Sequence, residues 1–143
     1  MKYRSLSTKI EQLKKITAEL EKLQKKINKK EFLSSHMARW AIERGLQLSL
    51  EATLDIASHI IGEMEFGKAE NYKENFEILA REKILPVSFA KKFKGAAGFR
   101  NILVHDYVDV DPKKVYEHFK NDSKDIKKFV NYVSKWLKKG DLL

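Results

Sequence analysis

The stretch GFRNILVHDYVDVDP, Gly98 to Pro112, sets Arg100, His105 and Tyr107 within eight residues, where an apolar helical run gives way to an acidic turn. A guanidinium stays charged at physiological pH and grips phosphoryl oxygens, whereas an imidazole titrates near neutrality and moves protons. Together they suit the cleavage of RNA without a metal. That reaction deprotonates a 2′-hydroxyl, stabilises the charge that builds on the attacked phosphate, and protonates the leaving 5′-oxygen. DNA has no 2′-hydroxyl and is expected to be inert. An arginine and a histidine near a helix end more often cap carbonyls or pair with acids such as Asp106 and Asp109. The residue types alone favour the structural reading.

Arg100 and His105 are five apart, about 140° around a regular helix, so they converge on one site only if the helix ends between them. The turn-like HDYVDVDP suggests such an ending, with Arg100 on the last helical turns and His105 at the frayed end or in the loop. A second polar pattern lies upstream. Arg39, Glu43, Gln47, Glu51, Asp55 and His59 recur every fourth residue and form a stripe along one face of a helix. Most such stripes are solvated and laced by i,i+4 pairs. Part of this one is a candidate lining for a cleft, with Arg44 or Asp55 supporting Arg100 and His105. Asp55 and His59 also have the one-turn spacing of a metal-ligand pair, but no third ligand is near them in sequence. They read as a structural or solvated pair, and neither a metal nor a cofactor is expected. His36 and His118 read as surface or packing residues. Tyr3, Tyr72, Tyr116, Tyr132, Trp40 and Trp136 are assigned to core or interfaces.

The elements that must position these residues are helical. From Leu6 the apolar residues Leu6, Ile10, Leu13, Ile16, Leu20, Leu23 and Ile27 keep spacings of three and four. A second long helix is expected from Phe32 to about Ile61, carrying Met37, Trp40, Ala41, Leu48, Ala52, Ile56 and Ile60, joined to the first around Lys29 to Phe32 as an antiparallel hairpin. Residues 62–68 have the glycines of a connection, and Asn71 caps a shorter helix to about Ile84. Pro86 suits the first turn of the helix that carries the motif, and Asp111-Pro112 opens a last helix to about Lys138. No stretch alternates with period two for long enough to suggest a strand. The expected fold is an all-α, up-and-down bundle of about five helices with a long N-terminal helical hairpin.

A chain of 143 residues with 43% hydrophobic content can bury one sizeable core, and a single domain over 1–143 is expected. There are no cysteines, which excludes disulfides, a thiol nucleophile and cysteine-ligated metal centres. The charged start and the lack of a long apolar run point to a soluble cytoplasmic protein, not a membrane protein. The net charge of +9 is unevenly spread: residues 1–31 hold 10 Lys/Arg against 4 acids, residues 112–143 hold 9 against 4, and the middle holds 10 against 12. Basic ends lean weakly towards a polyanionic partner.

Arg100, Asn101, His105 and Tyr107 in RNILVHDY match the R-N-x-x-x-H-x-Y form of the motif of HEPN-domain ribonucleases, and the chain resembles the HepT toxin branch of that family. The helix ERGLQLSLEATLDIASHII, the segments ENFEILAREKIL and AAGFRN, and the DPKKVYEHF start of the last helix agree, so that the likeness runs from about Trp40 to Phe119. The resemblance implies a metal-independent endoribonuclease toxin, acting as a homodimer in which motif residues of both subunits line a shared cleft. Its partner would be a small MntA-type nucleotidyltransferase antitoxin that silences the toxin by adding AMP to the motif tyrosine. Carried over by position, Arg100 and His105 are catalytic, Tyr107 is the modified residue, and Asn101 orients the site or holds the turn. A bulky, negatively charged nucleotide beside a phosphate-binding site would exclude RNA. The alternative is a non-catalytic helical binding partner of a nucleotidyltransferase. A basic helical DNA-binding protein is the weakest reading, because no short recognition helix is evident.

Overall fold

A computed structural model describes residues 4–105 and 111–140. Six helices fill them: α1 (Arg4–Lys26), α2 (Lys29–Ser34), α3 (His36–Glu63), α4 (Tyr72–Arg81), α5 (Val87–His105) and α6 (Pro112–Lys139). The architecture is an all-α bundle, with no strand among the described residues. The helix α3 touches each of the other five and is the axis of the bundle.

The long N-terminal pair forms by burial of matching stripes. Leu6, Ile10, Leu13 and Leu20 of α1 are buried in the core that α1 shares with α3 and α6, and Thr17, also buried, satisfies its hydroxyl by donating to the Leu13 carbonyl (2.7 Å). At Gly45 the helices approach so closely that a Cβ would come within 2.7 Å of Leu20 Cδ2. The join differs from the expectation of one helix starting at Phe32. Asn28 caps the short helix α2 by accepting from the Glu31 N–H (2.8 Å), and Ser35 then takes an extended conformation and caps α3 through the Ala38 N–H (3.2 Å). Neither proline nor glycine marks this break. Its purpose is visible in the packing: α2 turns Phe32 into the core against Tyr116 of α6, ring centroids 5.4 Å apart.

The core face of α3 also differs from the expected one. Ile42, Leu46, Leu50, Leu54, Ile56, Ala57, Ile60 and Ile61 are buried, whereas Met37, Trp40 and Leu48 point outward and Trp40 is 64% exposed. The helix α4 stops at Arg81, short of Ile84, because Lys83 takes a positive φ of 62° and turns the chain. Pro86 lies just before α5, its carbonyl accepting from the Ala90 N–H (3.0 Å). Phe76, Phe93 and Phe129 then lock α4, α5 and α6 together, with centroid distances of 5.0 to 6.1 Å. Asp111 and Pro112 start α6 as expected, the Asp111 carboxylate accepting from the Lys113 N–H (3.0 Å). No helix among the described residues is long and apolar enough to cross a membrane.

Candidate active site

Arg100 and Asn101 lie on the last two turns of α5, which are anchored from beneath. Phe99 is buried and stacks on the His118 ring of α6, centroids 3.7 Å apart and planes 6° from parallel, while His118 Nδ1 lies 2.8 Å from Oδ2 of the buried Asp122. With Phe99 fixed inward, Arg100 emerges beside α3 and α4. Its Nη2 donates to Glu51 Oε1 of α3 (3.4 Å), its Nη1 donates to Asn101 Oδ1 (3.0 Å), and its guanidinium carbon lies 5.5 Å from the ring centroid of Tyr72, the first residue of α4. Gln47 donates to the same Glu51 oxygen (3.1 Å).

This arginine is held but not saturated. The Arg100 side chain is only 20% exposed, its Nε is buried without an acceptor among the described residues, and 3.4 Å is long for a charge-assisted hydrogen bond. The Glu51 oxygen that meets Arg100 is shared with Gln47.

The structure brings together Arg100 and Asn101 but assigns different supports from those expected. Asp55 does not meet Arg100; it pairs with Lys9 of α1 (2.9 Å), one helical turn beyond Glu51. The same Lys9 Nζ lies 3.3 Å from His59 Nδ1, so the spacing that resembled a metal-ligand pair is filled by an ammonium of the chain itself. Arg44 is exposed and has no partner among the described residues, and it is not joined to Arg100. Arg39 turns away, donating to the Leu33 carbonyl (2.8 Å), and Glu43 carries a carboxyl pushed up by burial against the opposing pull of Arg39. Among the described residues no group of three or more His, Asp or Glu side chains is placed to hold a metal.

The helix α5 remains helical through His105, its last residue, and does not end between Arg100 and His105. The two positions therefore stay about 140° apart on one helix. The His105 side chain and the whole of Tyr107 lie outside the described residues. Glu51 carries no signal in the sequence beyond its place in the every-fourth stripe, and Tyr72 carries none for this site.

An all-helical bundle presenting a cationic motif at the end of its fifth helix defines the class of protein. The profile of the ribonuclease HepT-like family spans residues 9–133, and this chain belongs to that family. It is 34% identical over 111 residues to the tRNA nuclease HepT of Aphanizomenon flos-aquae, an alignment covering 78% of this chain and 75% of that protein. It is 28% identical over 88 residues to the mRNA nuclease HepT of Shewanella oneidensis, covering 62% of this chain and 66% of that one. Its fold matches that of the tri-AMPylated Shewanella oneidensis HEPN toxin in complex with its MNT antitoxin, with a TM-score of 0.81 and 22% identity over 91% of this chain and 96% of the other.

Proposed function

We propose that this protein is a metal-independent endoribonuclease toxin of a toxin–antitoxin pair. The observation that carries the proposal is Arg100: a guanidinium positioned by α3, α4 and α5, incompletely satisfied, in the motif of a ribonuclease family. In the reaction, the 2′-oxygen attacks phosphorus, the bond to the 5′-oxygen breaks, and a 2′,3′-cyclic phosphate remains. Arg100 exchanges its loose contact with Glu51 for the phosphoryl oxygens and stabilises their added charge. His105 moves the proton between the attacking and leaving oxygens. Asn101 holds the Arg100 fork in plane.

Because α5 does not break between Arg100 and His105, a single chain turns them to different sides of one helix. A homodimer relieves this, since a cleft between two copies is lined by motif residues of both. Met37, Trp40 and Leu48 of α3 and Ile102 of α5, all exposed, form the pairing face. The antitoxin is a nucleotidyltransferase of the MntA type that transfers AMP to Tyr107, placing bulk and negative charge beside the phosphate site.

The test is cleavage of a labelled RNA by purified protein in EDTA, with mass spectrometry confirming an unmodified Tyr107. Wild type should cut RNA and leave a DNA of the same sequence intact. Arg100→Ala and His105→Ala should each lose at least about 100-fold, the scale of removing one preorganised transition-state contact. An unmodified wild-type protein that cuts none of several RNAs would reduce the chain to a non-catalytic partner of a nucleotidyltransferase.

A further inference from the structure

Beside Arg100 lies a second feature that the cleavage reaction does not use. A cleft of about 620 Å³ opens between the C-terminal turns of α3, the connection that follows and the first turn of α4, lined among others by Ser58, Lys68, Glu70, Asn71, Tyr72 and Asn75. The volume falls within the range of small-ligand sites. Two of these residues set its chemistry. Tyr72 belongs to both places, since the Arg100 guanidinium lies over its ring while 44% of the residue stays exposed at the cleft. Asn75 is only 6% exposed, lines the cleft, and makes no side-chain hydrogen bond among the described residues. Its amide is not among the buried atoms left without a partner, so it keeps access to the cleft, where a bound molecule can pair with it.

We infer that this cleft is a nucleobase subsite, which seats a base next to the phosphate held by Arg100 and thereby selects where RNA is cut. The inference rests on the ribonuclease reading for its consequence, but not for binding. A base needs a flat apolar surface and a polar edge contact, and the cleft offers one of each. The Tyr72 ring supplies stacking, which single-stranded RNA recognition uses throughout. The Asn75 amide supplies a donor and an acceptor side by side, the pattern that reads a base edge. Arg100 joins the two functions: the cation that holds the phosphate also fixes the ring that stacks the base.

The experiment has two arms. In the first, ¹⁵N-labelled protein is titrated with AMP, GMP, CMP and UMP, and separately with ribose 5-phosphate, while the Asn75 side-chain amide is followed by NMR. At least one mononucleotide should shift that amide and ribose 5-phosphate should not. Tyr72→Ala should weaken the binding about tenfold or more, and Tyr72→Phe, which keeps the stacking ring, should retain it. In the second arm, RNAs differing only at the base beside the cut are compared by kcat/KM. Wild type should discriminate among them, and Asn75→Ala should flatten the preference while still cleaving. An Asn75 amide unmoved by all four mononucleotides, or moved equally by ribose 5-phosphate, overturns the inference. So does a base preference unchanged in both Tyr72→Ala and Asn75→Ala. A chain that cuts no RNA yet shows base-dependent shifts at Asn75 would sink the ribonuclease reading and sustain the subsite.

Discussion

Arg100 shows how a side chain can be rigid and still available. Its planar fork is aimed by Asn101, Glu51 and Tyr72, so little conformational freedom is left to lose on binding, while the contact with Glu51 is long at 3.4 Å. Glu43, two turns before Glu51 on α3, illustrates the opposite balance. Burial raises its carboxyl above the ordinary 4.5, and nearby Arg39 only partly offsets this. A glutamate that binds its proton more tightly in the folded state favours folding in acid and opposes it once the pH has risen through the folded pKa. Glu43→Gln should therefore raise the melting temperature at pH 7. The gain should vanish below about pH 4.5, where the wild-type carboxyl is already neutral in both states. Melting curves across pH 3 to 8 check the sign directly.

Among the elements, α3 bears the greatest positional demand, because it supplies Glu51 and Gln47 to the motif, Asp55 and His59 to Lys9, and a core face to every other helix. Its start is set by one side chain. Ser35 both ends α2 and accepts from the Ala38 N–H, so Ser35→Ala should cost about 1 kcal/mol of folding stability, read from urea unfolding. RNA cleavage by that variant at 25 °C should be unchanged, since Glu51 sits four turns further along. The break at Ser35 was invisible in the sequence because serine is compatible with a helix interior and the apolar spacing continues through it. Asn71 and Asp111 were legible as caps because each directly precedes a helix with connecting residues before it, and both accept a first-turn N–H as expected.

For the whole molecule, the exposed apolar face of α3 is the feature a lone bundle least explains. Met37 and Trp40 stand one turn apart and uncovered on a chain whose other large apolar side chains are mostly buried. If two copies meet there, wild type should run as a dimer by light scattering. Trp40→Glu, which plants a charge in the face, should weaken association by about 30-fold or more. The same variant should lose cleavage in parallel with the loss of dimer, because each cleft would lack its second lining. A Trp40→Glu protein that is monomeric and fully active would remove the second subunit from the mechanism.

The helical class, the course of most helices and the linear motif are all legible in the chain read one segment at a time. Apolar residues three and four apart, asparagine and aspartate caps, and Arg100, Asn101, His105 and Tyr107 in order are local features, and local chemistry is enough to read them. Which acid meets Arg100 follows only from how the helices pack. Glu51 and Asp55 lie on the same stripe one turn apart, and the choice depends on the height at which α5 crosses α3. That height depends on packing spread over the bundle, from Phe99 on His118 beside the motif to Phe93 on Phe129 and Leu20 against Gly45 away from it. The joining of Tyr72 to Arg100 and the outward turn of Trp40 have the same origin, for the register between helices is a property of the whole core and is written in no single segment.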